Sequence, residues 1–175
     1  LVGGVKVLLT KAGVDIINGS ASFISKNEIK VIDDSKKESK VKADNFIIAT
    51  GASPIELPFI KADGKLAVDA RGAIDLPFVP KKMGVIGAGP IGLEMATVYD
   101  ALGVNVSVVE LTDQLMPGCD PDLVRPLRKR VADRYEAVYT GTRVTGVTAE
   151  ETGLRVTFEG EQAPDPQVYG RVLVA

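Results

Sequence analysis

Val85-Ile86-Gly87-Ala88-Gly89-Pro90-Ile91-Gly92-Leu93-Glu94 is the stretch whose reading decides the fold. Two β-branched residues lead into glycines spaced GxGxxG, and an apolar helical run leads out. In this arrangement Gly87 serves a tight turn, and Gly89 keeps a side chain out of the path of an approaching phosphate. Gly92 lets the helix lie close to the strand. Free N–H groups at the positive end of the helix then face an anion. Pro90 is compatible, because the first helical N–H has no internal acceptor. Glycine triads alone are common. The strand before this one and the helix after it turn it into a prediction of a dinucleotide site at residues 87 to 94.

The next strand, Val104 to Val109, ends on Glu110, 18 residues after Gly92. A carboxylate about 20 residues beyond the glycines is expected to accept from the hydroxyls of an adenosine ribose. It also repels a 2′-phosphate, and no Arg stands at 111–114 to receive one, so NAD(H) is favoured over NADP(H). Glu94 reads as an acid in the first turn of the helix. One reading is favourable interaction with the helix dipole; the other is a role further along the cofactor. Spacing does not choose between them.

Outward from this unit the chain changes character. Val2, Val5, Leu8 and Leu9 stand at helical spacing, closed by Gly13. Strands are expected from Val14 to Phe23, at 28–32 and at Phe46 to Ala49. The charged residues 33–42 read as a solvated hairpin tip. Four prolines within 51–80 mark a connector. Asp120-Pro121-Asp122 reads as a helix start, with the helix reaching about Tyr135 and Pro126 disturbing its first turns. Ala137 to Tyr139 is a third strand. Residues 144–148 and 154–158 form a hairpin. The run 171–175 is continuously apolar after Arg171, as in a strand buried on both faces of a parallel sheet. The fold class is therefore α/β: a Rossmann-like domain with a parallel sheet and a β-hairpin or meander, plus an incomplete second piece. The expected division is 1–77 and 78–175. The abrupt apolar ends suggest a piece of a longer protein, opening without a start Met or signal peptide.

Composition narrows the chemistry. The 175 residues carry a net charge of −2, no His and one Cys, Cys119. This excludes Ser-His and Cys-His hydrolysis, His-ligated zinc, an internal disulfide and a CxxC redox pair. Cys119 reads as a small loop residue. The charge implies no attraction to nucleic acid, and Arg125, Arg128, Lys129, Arg130 and Arg134 read as a solvated helix face. No apolar run approaches the roughly 18 residues of a membrane span.

Three segments taken together carry a resemblance. These are Asn45-Phe46-Ile47-Ile48-Ala49-Thr50-Gly51-Ala52, then Asp69-Ala70-Arg71-Gly72-Ala73-Ile74-Asp75-Leu76, then the glycine stretch. In order and spacing the chain resembles the middle of the dihydrolipoamide dehydrogenases, within the flavoprotein disulfide reductase family. The resemblance implies an FAD enzyme that moves electrons from dihydrolipoamide through a redox disulfide and FAD to NAD. It assigns 1–77 to the later part of an FAD domain and 78–175 to most of an NAD domain. It also implies a cytoplasmic parent, a homodimer partner and a lipoyl-bearing 2-oxo acid dehydrogenase complex.

Carried over residue by residue, the resemblance puts Gly87, Gly89 and Gly92 on the NAD pyrophosphate and Glu110 on the ribose. Glu94 falls near the nicotinamide end, and the Val144 backbone near the adenine. Thr50, Gly51 and Ala52 fall on a turn that approaches FAD, and Ala21 near the flavin's adenine end. The family's FAD glycine motif, CxxxxC pair and His-Glu pair are not in this sequence. The chain alone is thus expected to be inactive and not to retain FAD. An NADH oxidase or mercuric reductase fits nearly as well. A non-catalytic NAD-binding module is the reading from another class.

Overall fold

A computed structural model describes residues 2–54, 56–60, 63 and 66–175. Leu1 and five connector residues lie outside the described residues. The chain divides into two compact units, Leu1–Ala52 and Ser53–Ala175. The division expected from the sequence lies at 77/78, inside the proline-rich connector of 51–80. Ala67 and Val68, within that connector, pair with the strand Arg171–Val174 in the second unit's sheet.

The first unit opens with helix α1 (Val2–Lys11), which buries none of its residues. Gly13 follows at φ 73°, the left-handed turn that glycine takes without strain. Strands β1 (Ser20–Ser25), β2 (Glu28–Ile32) and β3 (Glu38–Lys42) form an antiparallel sheet in that order. Two expectations need correction here. The strand expected from Val14 begins only at Ser20. The hairpin tip is shorter than 33–42: Asp33 accepts from the Lys37 N–H at 2.9 Å to close the turn, and residues from Glu38 onward pair with β2. Charged residues alternate with Val41, which sits opposite Ile29, so the strand is amphipathic despite its polarity. A third correction concerns Phe46 to Ala49, which forms no strand. Apolar residues favour extended backbone, but a strand needs a ladder partner. Ile47 is 95% exposed, while Phe46 meets Phe23 edge to face at 5.1 Å.

The second unit is the expected α/β domain. Its parallel sheet runs β4 (Ala67–Val68), β11 (Arg171–Val174), β5 (Lys82–Ile86), β6 (Asn105–Val109) and β7 (Ala137–Tyr139), in that spatial order. The last-placed strand in sequence is thus second in the sheet, parallel to both neighbours. Val172 and Leu173 are fully buried, as the apolar run requires. Helix α3 (Pro90–Ala101) makes the crossover from β5 to β6 and buries Gly92, Leu93, Ala96 and Tyr99, a face at helical spacing. Gly103, at φ 86°, turns the chain back toward β6.

Helix α4 (Pro121–Ala132) contains Pro126 and ends three residues before Tyr135, which is nevertheless buried. Helix α2 (Ala70–Ile74) was not foreseen. Asp69 caps it by accepting from the Gly72 N–H at 2.7 Å. The hairpin of β8 (Arg143–Glu150) and β9 (Gly153–Glu159) gains a third strand, β10 (Gln167–Tyr169), in the order β10-β9-β8.

Alternation along β6 sorts the core. Val106 and Val108 pack with α3, α4 and Val85; Val109 packs with Val144, Val156 and Tyr169. Helices therefore cover one face of the parallel sheet and the antiparallel sheet covers the other. This leaves the carboxyl ends of β5 and β6 as the place where loops meet. Among the described residues no helix is long and apolar enough to cross a membrane, and no group of His, Cys, Asp and Glu is arranged to hold a metal.

Candidate functional site

The turn after β5 is built by close approach. Gly87 has φ 105°, and its N–H donates to the Val109 carbonyl at 2.8 Å. A Cβ there would overlap the carbonyl oxygen of Ala175. A Cβ on Gly92 would overlap the carbonyl oxygen of Gly87 and lie 3.3 Å from Val85 Cγ1. Both glycines are therefore required by packing between strand, turn and helix. Gly89 differs: no heavy atom lies within 4 Å of where its Cβ would be. It caps α3 with extended backbone and faces open space. Leu93 N–H closes the first helical bond to the Gly89 carbonyl at 3.1 Å. The N–H groups of Gly89, Ile91 and Gly92 have no acceptor further back in the helix. With Pro90 at the first helical position, they stand free at the positive end of the helix, where an anion is favoured.

Glu110 lies directly beside this loop and is 7% exposed. Its Oε2 accepts from the Ala88 N–H at 2.8 Å, and Ala88 itself is fully buried. Its Oε1 accepts from the Thr112 N–H at 2.8 Å and the Thr112 hydroxyl at 2.9 Å. The acid is thus tied to the glycine loop across 22 positions of sequence. A second strap runs from the Met116 N–H to the Ala88 carbonyl at 2.9 Å. Beyond it, the Thr142 N–H donates to the Glu110 carbonyl at 3.0 Å. A cleft of about 380 Å³ opens there, lined by Asp113, Arg128, Thr140, Gly141, Glu161 and Gln162.

The fold brings together residues 87 to 94 and Glu110. Glu94 is exposed and stands fifth in α3, so it lies beyond the first turn, contrary to the sequence reading. Val144 is 5% exposed, its side chain packed with Val109 and Val156. Ala21 lies in β1, and Thr50, Gly51 and Ala52 are exposed residues of irregular backbone in the first unit. Cys119 is exposed in the loop before α4. Thr112 and Arg128 were missed. Arg128 lies well beyond 111–114 in sequence, and α4 delivers it to the same cleft. Asp113 and Glu161 share that cleft, so it is not a cationic phosphate pocket.

The pyridine nucleotide-disulphide oxidoreductase family pattern matches residues 1–175. The chain belongs to this family.

Among its relatives, dihydrolipoyl dehydrogenase of Vibrio cholerae is 41% identical over all of this chain and 37% of its own length. That of Haemophilus influenzae is 39% identical, again over all of this chain and 36% of its own. LpdA from Mycobacterium tuberculosis superposes with a TM-score of 0.82 at 29% identity, over 99% of this chain and 38% of that one. The HOCl-induced flavoprotein disulfide reductase RclA from Escherichia coli shares the fold, with a TM-score of 0.73 at 22% identity. It is matched over 97% of this chain and 38% of its own. This member of the pyridine nucleotide-disulphide oxidoreductases therefore spans a little over a third of the relatives it matches. Family members use FAD and a nicotinamide nucleotide. The parallel sheet, the antiparallel sheets and the glycine turn are the family's α/β architecture.

Proposed function

We propose that this chain is the NAD(H)-binding portion of a dihydrolipoamide dehydrogenase-like flavoprotein. One observation carries the reading. Gly87 and Gly92 hold the turn against α3, Gly89 leaves the approach open, and Glu110 stands bonded to the same loop. The pyrophosphate would lie on the free N–H groups at the start of α3, with Ala88, Pro90, Ile91 and Leu93 forming the backbone around it. The ribose would donate to Glu110. Glu94 would lie toward the nicotinamide, and Val144 would offer backbone to the adenine. When bound, the nicotinamide supplies a hydride acceptor. The chain's own contribution is to hold and orient the dinucleotide.

In the longer parent, dihydrolipoamide would be oxidised through a redox disulfide and FAD, with NAD as acceptor. The parent would work as a homodimer with a lipoyl-bearing 2-oxo acid dehydrogenase complex in the cytoplasm. Ala21, Thr50, Gly51 and Ala52 would face FAD there. The 175 residues hold one cysteine, no histidine and one glycine fingerprint, so turnover and FAD retention are not expected of them alone. Calorimetric titration of NADH before and after Glu110→Ala tests the reading. Weakened binding is expected; equal affinity refutes the ribose role.

A further inference from the structure

We propose that Thr112 is a positioning residue for Glu110, fixing the carboxylate so that Oε2 alone meets a ribose hydroxyl. The inference deepens the NAD(H) reading and rests on it. A carboxylate has about four lone-pair sites. In this chain Oε1 takes two donors, both from Thr112, and Oε2 takes one, from Ala88. The open site is therefore on Oε2, the oxygen that faces the glycine loop.

The Thr112 hydroxyl has one hydrogen and two acceptors in range, Glu110 Oε1 at 2.9 Å and the Gln114 carbonyl at 3.0 Å. The ionised carboxylate is the stronger acceptor and holds it in the free chain. The bond stays in the complex, where Oε1 keeps both Thr112 donors and a ribose hydroxyl reaches Oε2. Glu110 then holds four donors: the Ala88 N–H, the Thr112 N–H and hydroxyl, and one ribose hydroxyl. A carboxylate held this way cannot swing aside to admit a 2′-phosphate, so the same contact sharpens discrimination against phosphorylated nucleotides.

Thr112 is exposed at the loop after β6, so its replacement leaves the core untouched. The test is titration of NADH and NADPH into the 175-residue chain and its Thr112→Val, Thr112→Ser and Glu110→Gln variants, with melting temperatures for each. Thr112→Val is expected to weaken NADH about tenfold, the size of one hydrogen bond to a charged group, and NADPH much less. Thr112→Ser, which keeps the hydroxyl, is expected to restore the preference for NADH. A merely structural role would lower both affinities together with the melting temperature. The proposal is overturned if Thr112→Val keeps the wild-type ratio of affinities while Glu110→Gln collapses it. If Glu110→Gln leaves NADH binding unchanged, the ribose reading itself fails and the positioning role falls with it.

Discussion

Replacing Gly92 by alanine isolates the packing of α3 on β5. The added Cβ would overlap the carbonyl oxygen of Gly87 and sit 3.1 Å from Gly87 C and 3.3 Å from Val85 Cγ1. Ordinary carbon contacts are about 3.5–4.0 Å, so the helix start must withdraw by about 1 Å. Neither neighbour can yield easily. One is backbone held by the Gly87 N–H bond to Val109, and the other is a fully buried valine between two strands. Overpacking of this kind costs about 1–3 kcal/mol. For a chain of this size each kcal/mol lowers the melting temperature by about 2–4 °C, giving a loss of roughly 2–12 °C. Gly89→Ala is the internal control. Its Cβ meets nothing within 4 Å at φ −74°, so only a helix-cap preference, under about 1 kcal/mol, is at stake. Thermal unfolding followed by circular dichroism is expected to separate the two. Equal melting temperatures for both variants would refute the assignment of distinct roles to these glycines.

Tyr169 gives a pH-dependent prediction. Burial pushes its phenol up to about 12; the Ser107 side chain pulls the other way, without a hydrogen bond of ordinary geometry. In the unfolded chain the phenol loses its proton near 10. Between about pH 10 and 12 the unfolded state therefore binds fewer protons, and stability falls as pH rises through that window. Tyr169→Phe should flatten this fall in alkaline denaturation curves and cost little at neutral pH, where the buried hydroxyl has no partner among the described residues. An unchanged alkaline profile would contradict it. Mixing the purified chain with FAD, dihydrolipoamide and NAD should give neither a flavin retained on gel filtration nor NADH formation. Stoichiometric flavin or measurable turnover would contradict the assignment of its residues to cofactor holding alone.

Much of the second unit was legible because its signals are local. The glycine triad, the helical face of α3 and the apolar run of β11 each specify their own element. The edges were not legible, for reasons of size. Ala67 and Val68 form a strand of two residues, and Gln167–Tyr169 one of three, each too short to show a period. Helix α2 spans five residues and depends on the Asp69 cap more than on any pattern. Phe46 to Ala49 shows the opposite failure, strong strand composition without a partner to pair with. At the site, spacing singled out Glu110 as a ribose acceptor but showed nothing of how its carboxylate is held against the glycine loop. The Ala88 and Thr112 bonds depend on side-chain direction at a strand end, and the place of Arg128 in the neighbouring cleft depends on how α4 returns over the sheet. None of these leaves a trace in spacing.

The most direct measurement of the central claim is the NADH titration itself, run on the intact chain and on Glu110→Ala with folding checked in parallel. Saturable binding near one NADH per chain is expected. The alanine variant should lose at least about tenfold in affinity, because hydrogen bonds to a charged group are removed. Absence of NADH binding by the folded chain, or equal affinity in the two proteins, would contradict a dinucleotide held between the glycine turn and Glu110.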